Sequence, residues 1–144
     1  MTSAGTVKIT PVAIDIFAPA LTDYASRSFP AGRPLLAGAM DLMQRIYQDF
    51  DYDPAATTVA TPLAEVIADR RGVCQDFAHL MIGCLRALGL SARYVSGYLL
   101  TQPPPGQPRL VGADASHAWV EVWCPEQGWA ALDPTNAVSV GQDH

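Results

Sequence analysis

Apolar side chains recur at three- and four-residue steps through the middle of this chain, then give way to short runs bounded by turn residues. From position 34, Leu36, Ala39, Met40, Met43, Ile46, Tyr47 and Phe50 fall on one side of a helical spiral and predict a helix from 34 to about 50. Asp51-Tyr52-Asp53-Pro54 ends it, because the residue before a proline is pushed out of the helical region. Thr61 and Pro62 form the pattern of an N-cap followed by proline in the first helical position, opening a short helix through Leu63, Val66 and Ile67 to about Arg70. Beyond Gly72 the helical step resumes at Phe77, Leu80, Met81, Cys84, Leu85 and Leu88, predicting a third helix over about 74–88 that Gly89 closes. The period then changes. Residues 92–101, 117–124 and 128–132 are rich in Val, Tyr, Trp and Leu and separated by turn formers, which predicts three antiparallel strands.

The rest of the chain is less patterned. Residues 1–33 mix short apolar runs with Gly and Pro and are expected to be irregular, with room for a strand or short helix at 12–17. Residues 102–116, carrying Pro103-Pro104-Pro105-Gly106 and Pro108, make a loop too long for a bare connection, and loops of that size often border a binding site. There is no internal repeat and no linker. A helical half (34–91) followed by antiparallel strands (92–136) therefore predicts one α+β domain.

Composition narrows the partners. Nine Lys+Arg against fourteen Asp+Glu give a net charge of −5, and no basic cluster exceeds Arg70-Arg71, so nucleic acid is not an expected partner. No apolar run is long enough to cross a bilayer, so neither is a membrane. With 144 residues, 49% of them hydrophobic, the chain can bury a core without disulfide or metal. Three cysteines are too few for a disulfide framework or a four-cysteine zinc site, and the start of the chain is no secretory signal, so a reducing cytoplasm is expected. No cofactor is expected. A metal site built from Cys74, His79 and Cys84 fails on direction, since they point about 140° apart around the helix.

The same scarcity selects the candidate chemistry. Cys74 falls at a Gly-preceded helix start, where unpaired N–H groups and the helix dipole favour a thiolate; it reads either as a nucleophile or as a small buried cysteine beginning a core helix. Gly72 would permit a tight turn that lifts the thiol clear. Cys84, on the apolar face, and Cys124, at a strand end, read as structural. Of the three histidines, His144 is terminal and expected to be mobile, His79 points away from Cys74 around the helix, and His117 opens a strand beside the long loop, a suitable place for a base. If the last two strands form a hairpin about 125–128, Asp133 arrives near His117 and can orient its ring. Asp133-Pro134 also reads as a turn initiator, and Asp114, in the loop, is a rival carboxylate.

These residues sit in four blocks. Arg71-Gly72-Val73-Cys74-Gln75-Asp76, Gly89-Leu90-Ser91-Ala92-Arg93, Asp114-Ala115-Ser116-His117-Ala118-Trp119, and Gly128-Trp129 with Leu132-Asp133-Pro134-Thr135-Asn136, in that order, resemble the bacterial transglutaminase-like domain family. The resemblance covers residues 34–136 and implies a papain-like fold in which a nucleophile helix packs on an antiparallel sheet. Position by position it implies Cys74 as nucleophile, His117 as base and Asp133 as orienting acid, with acyl transfer through a thioester on a peptide or protein substrate. The Cys74 N–H and a second donor, for which Tyr52 is a candidate, would hold the oxyanion. Water as acceptor makes a peptidase or amidase and an amine makes a transglutaminase; hydrolysis is favoured because nothing in the sequence marks an amine site. A catalytically silent peptide-binding module of the same fold is the third reading. Family members are longer, and this chain ends 11 residues after Asp133, so it is expected to be a piece of a larger protein. Its short sheet would leave an unpaired edge that invites a homodimer.

Overall fold

The three helices and three strands expected after position 34 are all found, joined by elements the pattern did not announce. The computed structural model describes residues 6–8, 18–58, 61–99, 105–106, 116–141 and 144. Four helices occur among these residues: α1 (Ala18–Ser26), α2 (Leu35–Asp49), α3 (Leu63–Asp69) and α4 (Cys74–Ala87). A five-stranded antiparallel sheet runs in the order β1 (Thr6–Lys8), β4 (Ala92–Tyr98), β5 (Ser116–Cys124), β6 (Gly128–Asp133) and β7 (Val138–Ser139). A separate two-residue parallel bridge joins β2 (Asp51–Tyr52) to β3 (Arg71–Gly72).

Helix α4 is the centre of the molecule. It touches α1, α2 and α3 on one side and β4 and β5 on the other. Its buried residues accordingly exceed a single stripe: Phe77, Ala78, Leu80, Met81, Ile82, Gly83, Cys84 and Leu85 are all inside. The helix closes as expected at Gly89, whose φ of +80° suits the left-handed position, with Leu90 N–H returning to the Leu85 carbonyl at 3.0 Å. Ala118, Val120, Val122 and Cys124, alternate residues of β5, meet this helical core; Trp119, on the alternate face, is fully buried outside it.

Several expectations are corrected. Residues 1–33 are not irregular throughout, since β1 adds a strand to the sheet and α1 packs against α4. The stretch 12–17 lies outside the described residues, as does the loop 102–116 apart from 105–106 and 116. The inner face of α2 is turned from the expected one: Gly38, Ala39, Leu42, Met43 and Ile46 are buried, whereas Met40 and Tyr47 are 39% and 53% exposed. Phe29 lies against the buried face at Gly38, its ring so close that a Cβ there would stand 2.4 Å from it. Pro62, not Thr61, is the N-cap of α3; its carbonyl accepts the Glu65 N–H at 3.0 Å, while the Thr61 hydroxyl accepts from Thr58 N–H at 2.9 Å.

Candidate active site

Cys74 is the first residue of α4, and the approach to it is built by Asp76. One oxygen of Asp76 accepts the Val73 N–H at 2.9 Å and the Thr57 hydroxyl at 2.8 Å, so the third helical residue reaches back to satisfy an otherwise unpaired donor. The role of Gly72 follows from this and not from a tight turn. It is extended backbone in β3, and a Cβ on it would stand 2.8 Å from the Asp76 oxygen and 2.9 Å from the Asp76 Cβ. A side chain at 72 would push out the carboxylate that anchors the helix start.

Strand register brings the other two residues together. Val120 pairs with Leu132, which sets Asp133 level with Trp119, two residues along β5 from His117 and on the same side of the sheet. His117 Nε2 lies 2.9 Å from Asp133 Oδ2, and both side chains are wholly buried. The carboxylate only accepts, so the ring donates from Nε2. Nδ1 is buried without a hydrogen-bond partner, and Cys74 lies near enough to raise the pKa of this ring. Burial alone would lower the His117 pKa, but the bond to Asp133 and the nearby Cys74 thiol, with the charges of both, outweigh it and push the value up to about 9. Burial would likewise raise Asp133, yet the bonds from His117, His144 and Asn136 hold it well below the usual carboxylate range.

Asp133 both makes a turn and meets the His117 ring. Oδ1 accepts the Thr135 N–H at 3.0 Å and the Asn136 N–H at 3.3 Å, which makes the turn, while Oδ2 faces the imidazole and takes the Asn136 side-chain amide at 3.0 Å. Asp114 lies outside the described residues.

One residue was misjudged from sequence. His144 is buried in the site: its side chain is 1% exposed, its Nε2 lies 2.9 Å from the same Asp133 Oδ2, and its ring meets Trp119 edge-on at 5.0 Å. No local spacing announces this contact, although the scarcity of histidines made each of them worth placing. His117, Asp133 and His144 together are a group whose ligand atoms, within 4.8 Å of one another, could enclose a metal ion. They fit a hydrogen-bonded network better. Both Nδ1 atoms are buried without a partner, whereas metal-bound imidazoles ordinarily donate that second nitrogen to an outer acceptor.

The remaining candidates separate cleanly. Tyr52, paired with Gly72 through the β2–β3 bridge, is near enough to Cys74 that the thiol's charge, after burial, raises its pKa. Tyr94 is raised to about 12 by burial and by the charges of Cys74 and Asp76, and His79 stacks on it at 4.9 Å. Cys84 and Cys124 are free and buried, and burial pushes the Cys84 thiol up to about 12. A recess of about 250 Å³, with Tyr52, Phe77, Pro134 and Thr135 among its walls, adjoins the site.

Residues 23–134 match the family model described as the transglutaminase-like superfamily. An uncharacterized protein of Mycobacterium tuberculosis is 51% identical over 141 residues, covering 92% of this chain and 45% of that protein. A protein-glutamine gamma-glutamyltransferase of Pseudomonas aeruginosa is 40% identical over 106 residues, covering 68% of this chain and 16% of that protein. This chain thus spans less than half the length of either. Among solved structures, a Cytophaga hutchinsonii protein provisionally described as a cysteine protease superposes with a TM-score of 0.67 at 30% identity, covering 84% of this chain and 38% of the other. The periplasmic domain of TgpA from Pseudomonas aeruginosa, bound to ethylmercury, superposes with a TM-score of 0.63 at 36% identity, covering 84% and 45%. No helix among the described residues is long and apolar enough to cross a membrane.

Proposed function

The chain belongs to the transglutaminase-like superfamily, and from that premise we propose that it is a cysteine-dependent acyl-transfer enzyme acting on an amide of a peptide or protein. The observation that carries this reading is the buried His117–Asp133 contact at 2.9 Å, with Cys74, at the start of α4, near enough to raise the His117 pKa. In the proposed reaction the Cys74 sulfur attacks the carbonyl carbon and His117 holds the thiol proton at Nδ1. The C–N bond breaks as that proton passes to the leaving amine, and a thioester remains. An acceptor then gives a proton to His117 and displaces the sulfur. Asp133 keeps the Nε2–H tautomer in place throughout. The Cys74 backbone N–H, together with the hydroxyl of Tyr52, is the proposed oxyanion site.

Water is the favoured acceptor, in keeping with the likeness to the Cytophaga protein. The likeness to a named gamma-glutamyltransferase supports an amine acceptor as the second reading. For compartment, the likeness to a periplasmic domain favours a setting outside the cytoplasm over the one expected from cysteine usage.

Iodoacetamide is expected to label Cys74 faster than Cys84 or Cys124 near neutral pH, with the preference reduced in His117→Ala. Equal labelling of all three thiols overturns the proposal. Casein incubated with and without a fluorescent primary amine then separates the acceptors: covalent incorporation identifies transfer to amines, and ammonia or new chain ends without incorporation identify hydrolysis. Peptide binding that survives Cys74→Ala, with no turnover in either chain, would identify a silent binding module.

A further inference from the structure

We propose that His144 is a positioning residue of this site: it shares Asp133 Oδ2 with His117 and so limits how strongly the carboxylate holds the His117 ring. The inference rests on the triad reading above. Three donors converge on the one oxygen, His117 Nε2 at 2.9 Å, His144 Nε2 at 2.9 Å and Asn136 Nδ2 at 3.0 Å. Asn136 belongs to the Asp133 turn, whereas His144 arrives from beyond β7 and brings a second imidazole, its ring centre 6.2 Å from that of His117. Because a carboxylate only accepts, His144 must carry its proton on Nε2.

The cost of this arrangement points to its purpose. Nδ1 of His144 is buried with no partner, and a buried polar atom left unpaired is unfavourable. An apolar side chain of similar size would fill the space beside Trp119 without that penalty. What the imidazole adds is the Nε2–H aimed at Oδ2. A donor there draws on the same lone pairs and negative charge that hold His117, so the carboxylate's grip on a protonated His117 is divided. An imidazolium gripped too tightly is a weaker acid and gives its proton less readily to the leaving amine. The titratable groups facing this pair are His117 from β5, Asp133 from β6, Cys74 from α4 and His144 itself.

The test is the titration of the His117 ring by NMR; three histidines make it assignable, with His117→Ala identifying its signals. In His144→Leu, which keeps the space filled and removes the donor, the His117 midpoint is expected to rise by roughly half to one pH unit, the equivalent of one ordinary hydrogen bond. The limb of any turnover profile that follows the His117 titration should move with it. His144→Gln, whose amide nitrogen can take the place of Nε2, should keep the wild-type midpoint. An unchanged midpoint in His144→Leu overturns the inference, since a purely structural histidine would leave it in place. So does a fall, which would mean that the carboxylate had lost its position. If His144→Leu does not fold, His144→Asn, whose shorter amide falls short of Oδ2, takes its place with the same expectation. Failure of the underlying triad reading is distinguishable: there His117→Ala would leave Cys74 labelling unchanged, whatever His144 does.

Discussion

Replacing His117 by glutamine should flatten the alkaline side of the stability curve. The side chain is wholly buried, with 0% exposure, so solvent screening takes little from its interactions. Although burial opposes it, the contacts with Asp133 and Cys74 push the pKa up to about 9. In the unfolded chain the imidazole returns to its ordinary value near 6.5. The folded state thus holds the proton more tightly. The resulting stabilisation is fully present below about pH 6.5 and is lost as the pH rises through about 9. At about 1.4 kcal/mol for each pH unit, the interval from 6.5 to about 9 is worth about 3 kcal/mol. Cys84, pushed up to about 12 by burial, also removes stability as the pH rises past the ordinary thiol range, but it does so equally in both chains and cancels. Asp133, held low, acts only at acid pH, its contribution present above about pH 4 and lost below. Glutamine keeps a nitrogen donor near the position of Nε2 and removes the titration. Urea unfolding from about pH 6 to about pH 9.5 should show wild type losing about 3 kcal/mol more than His117→Gln. Curves that stay parallel within about 1 kcal/mol would refute the reasoning.

Two further changes test the scaffold. Gly72→Ala places a Cβ 2.8 Å from the Asp76 oxygen and should displace the carboxylate from both Val73 and Thr57, costing about 2–4 kcal/mol in urea unfolding; a cost under about 0.5 kcal/mol would mean that Asp76 does not anchor α4. Arg45 donates to the Tyr24 carbonyl at 2.6 Å and the buried Ser28 hydroxyl at 2.8 Å while lying 4.2 Å over the Tyr24 ring, so Arg45→Ala should cost about 2–3 kcal/mol. Arg45→Lys should recover less than half of that by thermal unfolding, because an ammonium cannot match the planar fork; full recovery would show that charge alone suffices.

What could be read in the sequence was whatever depends on local period and short-range turn chemistry. Helices α2, α3 and α4 and strands β4, β5 and β6 followed from spacing, and the tight turn after Cys124 fixed the register that carries Asp133 towards His117. Contacts between distant segments could not be read that way. β1 and β7 are three and two residues long, too short to show alternation, and exist because a neighbouring strand pairs with them. His144 lacks any periodic context, and what buries it is a carboxylate already occupied by another ring. Gly72 was singled out for the wrong reason, since the demand on it comes from the Asp76 side chain and not from its own φ. The buried face of α2 meets Phe29 at Gly38, a contact from outside the helix that its own periodicity does not carry.

The two-residue bridge between β2 and β3 has a consequence for how such a domain can diversify. The chain from 53 to 70 leaves and returns through a neck in which Asp51 stands opposite Arg71 and Tyr52 opposite Gly72, with Asp53 and Arg71 3.7 Å apart beside it. Lengthening a closed excursion adds only about 0.6 kcal/mol per doubling, so the stretch before α3 can accept insertions while the neck keeps its register. Tyr52 and Cys74 are fastened on the near side. Thr57 and α3 keep their contacts with Asp76 and α4, so the stretch between them is where length can change and alter what approaches the thiol from that flank.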